Sequence, residues 1–138
     1  MRTGLPEIGG ASTLADGTGA NDLVQWQDGG NIVSPVCWDG LLFSISHISI
    51  LTCRDAESGG IHWTHRLGSR GLASLVAGDG KLYVLDQEGA LQVFAANTTG
   101  SVLAPHSLRE NCSATPAIAA SMLFVRTAGH LYCIGSGE

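Results

Sequence analysis

A phrase of twelve residues recurs three times in this chain and limits what it can fold into. It reads P-V-C-W-D-G-L-L-F-S-I-S from Pro35 to Ser46. It returns as L-V-A-G-D-G-K-L-Y-V-L-D from Leu75 to Asp86, and as P-A-I-A-A-S-M-L-F-V-R-T from Pro116 to Thr127. The spacings are 40 and 41 residues. Each phrase is two short apolar runs joined by a turn. Asp39-Gly40 and Asp79-Gly80 supply the positive φ of a tight hairpin, and Gly89 does the same in the next turn of the second unit. The β-branched and aromatic residues around these turns suit a pleated surface. Along Leu41–Ser46, Leu41, Phe43 and Ile45 fall on one face.

In chain order, the spacing predicts strands at Leu23–Trp26, Asn31–Cys37, Leu41–Ser46, Ile50–Arg54 and Ile61–His65. The second unit supplies Leu72–Ala77, Lys81–Leu85, Ala90–Phe94 and Ser101–Ala104. The third supplies Ala114–Ala119, Met122–Thr127 and His130–Ile134. Residues 1–22, with five of the 19 glycines, carry little periodicity and read as an irregular segment. Helical periodicity is missing throughout, and turn signals arrive every eight to twelve residues. A four-stranded meander repeated at about 40 residues is the pattern of a β-propeller blade. The fold class is therefore all-β, a partial propeller of antiparallel blades. A lone Leu23–Trp26 strand comes first. Blades follow at 31–65 and 72–104, then a three-stranded blade at 114–134 and a tail at 136–138.

One segment points to a particular kind of propeller. Cys53-Arg54-Asp55-Ala56-Glu57-Ser58-Gly59-Gly60-Ile61-His62-Trp63 resembles the tryptophan-docking segment of the PQQ-like, or quinoprotein-type, repeat family. Asp55, Gly59 and Trp63 match its pattern, Cys53 takes the small position, and Gly60 replaces the usual Lys. Asp55 can accept N–H groups of its own loop, Gly59 permits the turn, and Trp63 packs between blades. The second unit keeps Thr99-Gly100 at the turn but has Ala95 or Ala96 where Asp belongs, and Leu103 or Ala104 where Trp belongs. Trp26 is the expected anchor of the first strand. The closing phrase around Pro116–Gly135 is similar to the non-catalytic, outer-membrane-assembly-like members of this bacterial family. The resemblance implies a scaffold or protein-binding role, and a periplasmic or otherwise extracytoplasmic setting.

Three blades' worth of strands is fewer than the four at which propellers ordinarily close. Two arrangements would cover the open blade faces. The chain is part of a longer propeller, or Leu23–Trp26 of one copy completes the third blade of the next in a head-to-tail homo-oligomer.

Composition narrows the function. The chain is 44% hydrophobic and 14% charged with a net charge of −5, and its basic residues are scattered, which argues against a nucleic-acid partner. It holds no apolar run long enough to cross a membrane, and residues 1–10 lack the apolar core of a signal peptide. Cys37, Cys53, Cys112 and Cys133 show no C-x-x-C spacing and read as buried structural thiols, with a disulfide or metal ligation as alternatives. The dispersed His47, His62, His65, His106 and His130 make poor co-ligands. No nucleophile with an adjacent base is legible, and nothing in the residues asks for a cofactor. Quinoprotein enzymes of the wider family hold PQQ and Ca²⁺ near the axis with acidic, amide and basic residues. Here the inner-strand positions are Ser34, Ser74 and Thr115, small and neutral. Part of a PQQ-dependent dehydrogenase, or a sugar-binding propeller, remains the alternative. The polar loops at Gly68–Gly71 and Leu103–Cys112, carrying Arg70 and Arg109, are the candidate contact surface.

Overall fold

The structure, a computed structural model, describes residues 11–14, 23–26, 33–68 and 73–135. Thirteen strands occur among them, and no helix. The first blade is β3 (Val36–Trp38), β4 (Leu41–Ile45), β5 (Ile50–Asp55) and β6 (Ile61–Arg66). The second is β7 (Val76–Gly78), β8 (Lys81–Leu85), β9 (Ala90–Ala95) and β10 (Val102–Ser107). Each is an antiparallel meander with sequential strand order. The third sheet, β11 (Ala117–Ala119), β12 (Met122–Arg126) and β13 (Leu131–Gly135), has three strands. The chain is an all-β partial propeller.

The expected irregularity of residues 1–22 is corrected at one place. Ala11–Leu14 forms β1, which pairs antiparallel with β2 (Leu23–Trp26), so β2 is not a lone strand. The glycines of this region hid a strand of only four residues. Asp16 and Thr18-Gly19 lie between the two in sequence and Trp26 ends β2, an order like that of Asp55, Ser58-Gly59 and Trp63. β1 and β2 thus carry the sequence order of the third and fourth strands of a further blade.

Innermost strands are shorter than expected, starting at Val36, Val76 and Ala117. The residues before them direct their backbone elsewhere. Ser34 N–H donates to Ser74 Oγ at 3.3 Å, and Ser74 N–H donates to Thr115 Oγ1 at 3.2 Å. These three positions, one per repeat, stitch neighbouring blades together around the axis. Pro35 sits just before β3, where its missing N–H leaves no ladder bond unmade. The outer strand of the second blade runs on to Ser107, with Pro105 tolerated because β10 is the edge of its sheet.

The core lies between sheets. From the first blade, Leu41, Phe43, Ile45, Leu51 and Cys53 meet Leu82, Val84 and Phe94 of the second. The other face of the second blade turns Leu85 and Leu91 onto Leu123 and Val125 of the third. Alternation along each strand therefore feeds two cores at once. A single blade of this composition could bury neither of its faces by itself.

The first hairpin turn of each blade has both central residues at positive φ. The values are 48° and 73° at Asp39-Gly40, 52° and 68° at Asp79-Gly80, and 50° and 60° at Ala120-Ser121. The third turn adopts this geometry without glycine, at a cost of about 1–2 kcal/mol per left-handed residue. Ser121→Gly is expected to raise the unfolding free energy by about 0.5–1 kcal/mol, the relieved strain less the entropy gained by the unfolded chain. Urea denaturation measures it, and an unchanged midpoint would refute the assignment of strain to this turn.

Candidate functional site

The junction between the first two blades is built around Trp63. A bulge in the β5–β6 pairing sets its direction: Cys53 lies opposite Trp63 and Arg54 opposite Ile61, leaving His62 as the extra residue. Strict alternation would put Ile61, Trp63 and His65 on one face, and the bulge breaks it. Ile61 points with Arg54, away from Trp63. The indole spans the gap to the second blade, 6.0 Å from the rings of both Phe43 and Phe94 and nearly parallel to the latter. Its Nε1 donates to Asn97 O at 2.9 Å. His65 meets Phe94 edge-on at 5.0 Å.

Two loops shape this junction. Asp55 Oδ1 accepts the Ser58 N–H at 2.7 Å, the Ser58 hydroxyl at 3.0 Å and the Glu57 N–H at 3.0 Å. These bonds, the Ser58 N–H first among them, hold its carboxyl below the usual Asp range. Gly59, at φ 75°, closes the loop with its N–H on Asp55 O, and its own carbonyl accepts Nη1 of the buried Arg54. In the second blade Ala95 occupies the backbone position of Asp55, but the capping passes to Asn97. Its Oδ1 accepts the N–H groups of Thr99 and Gly100 and the Thr99 hydroxyl, at 3.0, 3.1 and 2.7 Å. This capping role of Asn97 was not assigned from the sequence. The signal was N-T-T-G, an amide side chain two residues ahead of its own turn. Gly100 lies under the indole, where an added Cβ would stand 2.3 Å from Trp63 Cε2.

The connection from the second to the third blade is held differently. Leu108 N–H donates to Gly89 O, Cys112 N–H to Gln87 O and Ala128 N–H to Asn111 O. Gly89 has φ 85°, and a Cβ there would lie 2.3 Å from Glu110 O, so backbone passes directly over it. The Glu110 carboxylate is a clamp on the turn between β12 and β13. It accepts the Thr127 hydroxyl, the Gly129 N–H at 3.2 Å and His130 Nδ1 at 2.5 Å. The Thr127 hydroxyl contributes most to holding this carboxyl below the ordinary Glu range. Arg109 precedes it, exposed and at φ 56°, its N–H on Ser107 Oγ. Glu110 was not singled out from sequence because its partners are 17 to 20 residues away.

The remaining expected positions are quickly placed. Asp39, Gly40, Asp79 and Gly80 form exposed turns, and Lys81 pairs with Asp79 at 3.2 Å. Arg70, and the side chain of Trp26, lie outside the described residues. All four cysteines are unpaired. Cys53 and Cys112 are buried, and burial pushes the Cys53 thiol up to about 11 and raises that of Cys112 too, so neither is a ready nucleophile. Cys37 and Cys133 are exposed, which corrects their reading as buried thiols: both fall on strand faces that meet no neighbouring sheet among the described residues. No group of three metal-ligating side chains occurs among the described residues.

Between the second and third blades lies an open groove of about 920 Å³. Register explains it. The β9–β10 pairing repeats the bulge, with Val93 opposite Ala104 and Leu103 extra, so Ala104 and not Leu103 takes the place of Trp63. Tyr83, Leu91, Val93, Ala104 and His106 form one wall, and Ile118, Leu123 and Ile134 the other.

A blade-to-blade indole dock at Trp63, on four-stranded meanders that repeat at about 40 residues, marks a propeller of PQQ-like repeats. The family model described as outer membrane protein assembly factor BamB matches residues 12–103, more than half of the chain, and the chain belongs to that family. Among solved structures it is similar to BamB from Moraxella catarrhalis, with a TM-score of 0.67 and 16% identity over 81% of this chain and 35% of that one. It is also similar to the quinohemoprotein alcohol dehydrogenase ADHIIG of Pseudomonas putida HK5. There the TM-score is 0.64 at 18% identity, over 80% of this chain and 20% of that one. The enzyme of the same type from Comamonas testosteroni gives 0.58 and 18%, over 71% and 17%. The chain thus spans about a third of the BamB structure and a fifth or less of the enzymes, and these likenesses are of fold. A comparison with curated proteins gives no match.

Two outcomes follow from the junctions. Gly100→Ala is expected to cost about 2–4 kcal/mol, from the clash and the positive φ together. The same change should cost less in a Trp63→Ala background, where the clash is gone, and a double-mutant cycle by urea denaturation reads the coupling. The second concerns acid. Glu110 has a folded pKa below its unfolded value of about 4.3, so its contribution is fully present above that value and is lost as pH falls through the folded pKa. The stability difference between the protein and Glu110→Gln should therefore shrink below about pH 4, and a difference constant from pH 7 to pH 3 would contradict the clamp.

Proposed function

We propose that this chain is a non-catalytic propeller module that serves as a scaffold or protein-binding surface, and that it works as part of a longer propeller. The observation that carries the reading is the inner-strand ladder. Ser34, Ser74 and Thr115, at the positions nearest the axis, are small and neutral, and the Ser74 and Thr115 hydroxyls accept N–H groups of the preceding blade. A quinone or metal site at the axis needs charged and amide side chains there, and these blades provide blade-to-blade hydrogen bonds instead. Family membership supports the same reading, since the matching model describes an outer membrane protein assembly factor. An extracytoplasmic setting accompanies that reading.

The longer-propeller arrangement is favoured over a head-to-tail ring by the pairing of β2. Its residues Leu23–Trp26 already pair with Leu14–Ala11, so β2 could complete another copy's third blade only by carrying β1 with it as an extra strand. Its display surfaces are the rim turns and the 108–113 connection, held by a rigid sheet framework.

The reading is tested on the purified 138-residue chain and on the protein in its native envelope. Incubation with PQQ and Ca²⁺ should leave tryptophan fluorescence unchanged and produce no dye-linked alcohol dehydrogenase activity. A photo-crosslinker at Arg109 should yield a protein adduct in the envelope that re-forms from the two purified components. Calcium-dependent PQQ uptake would replace this reading with the quinoprotein one.

A further inference from the structure

We draw no further inference here: the strongest candidate, the open polar cavity of about 750 Å³ between the β8–β9 turn, the connection into the third blade and the end of β12, carries nothing, because the buried polar side chains that line it, Cys112 and Thr127, are already hydrogen-bonded to Glu110 and nothing in the structure shows what would occupy it.

Discussion

Everything in this structure depends on the fact that the second blade is apolar on both faces. Leu82, Val84 and Phe94 point one way from the second blade, and Leu85 and Leu91 point the other. A sheet of four short strands cannot hide both sets, so it is stable only between neighbours. Burial of this kind is non-directional and would permit blades to slide. The Trp63 dock removes that freedom. Its indole is fixed by one hydrogen bond to Asn97 O, by the close approach allowed at Gly100, and by stacking on Phe94. The inner ladder from Ser34 to Thr115 fixes the other end of the blades.

The two junctions divide these tasks differently. At the first, an aromatic side chain does the locking, and Asn97 and Asp55 hold the loops on either side of it. At the second the indole is missing, and the connection itself takes over. Glu110 fastens residues 108–113 to the β12–β13 turn through three donors, and Gly89 lets the backbone pass close overhead. The first junction is therefore mainly apolar, with the Asp55 carboxylate capping the loop beside it. The second is held partly by a half-buried carboxylate, with the modest strength that such groups have near water. The groove left over Ala104 is a consequence of this substitution of one device for another.

For function, the consequence is a rigid frame whose chemistry is spent on holding itself together. The hydroxyls nearest the axis, the capping carboxylate and amide at the loops, and two of the four thiols all serve packing or hydrogen bonding between blades. Among the described residues, the exposed positions outside these contacts include the rim turns and the connections between blades.

The repeat, the class of fold, the hairpin turns and the buried faces of β4 and β8 were legible in the sequence. Each is a local property: period two along a strand, Asp-Gly at a turn, and a spacing of 40 to 41 residues are visible within one unit. The family resemblance rested on Asp55, Gly59 and Trp63, which lie within nine residues of one another. Contacts between units were not legible. The bulge that turns Trp63 away from Ile61 depends on how β6 registers against β5. Asn97 replaces Asp55 from two positions away, so a column-by-column alignment finds only Ala95. Glu110 meets its partners after two further strands have come and gone, and β1 was too short to show a period. The sequence by itself determined how each blade folds, because hydrophobic alternation and turn chemistry act within a dozen residues. Only the tertiary structure decided how blades lock and what they leave open, because those contacts join side chains whose proximity no local pattern encodes.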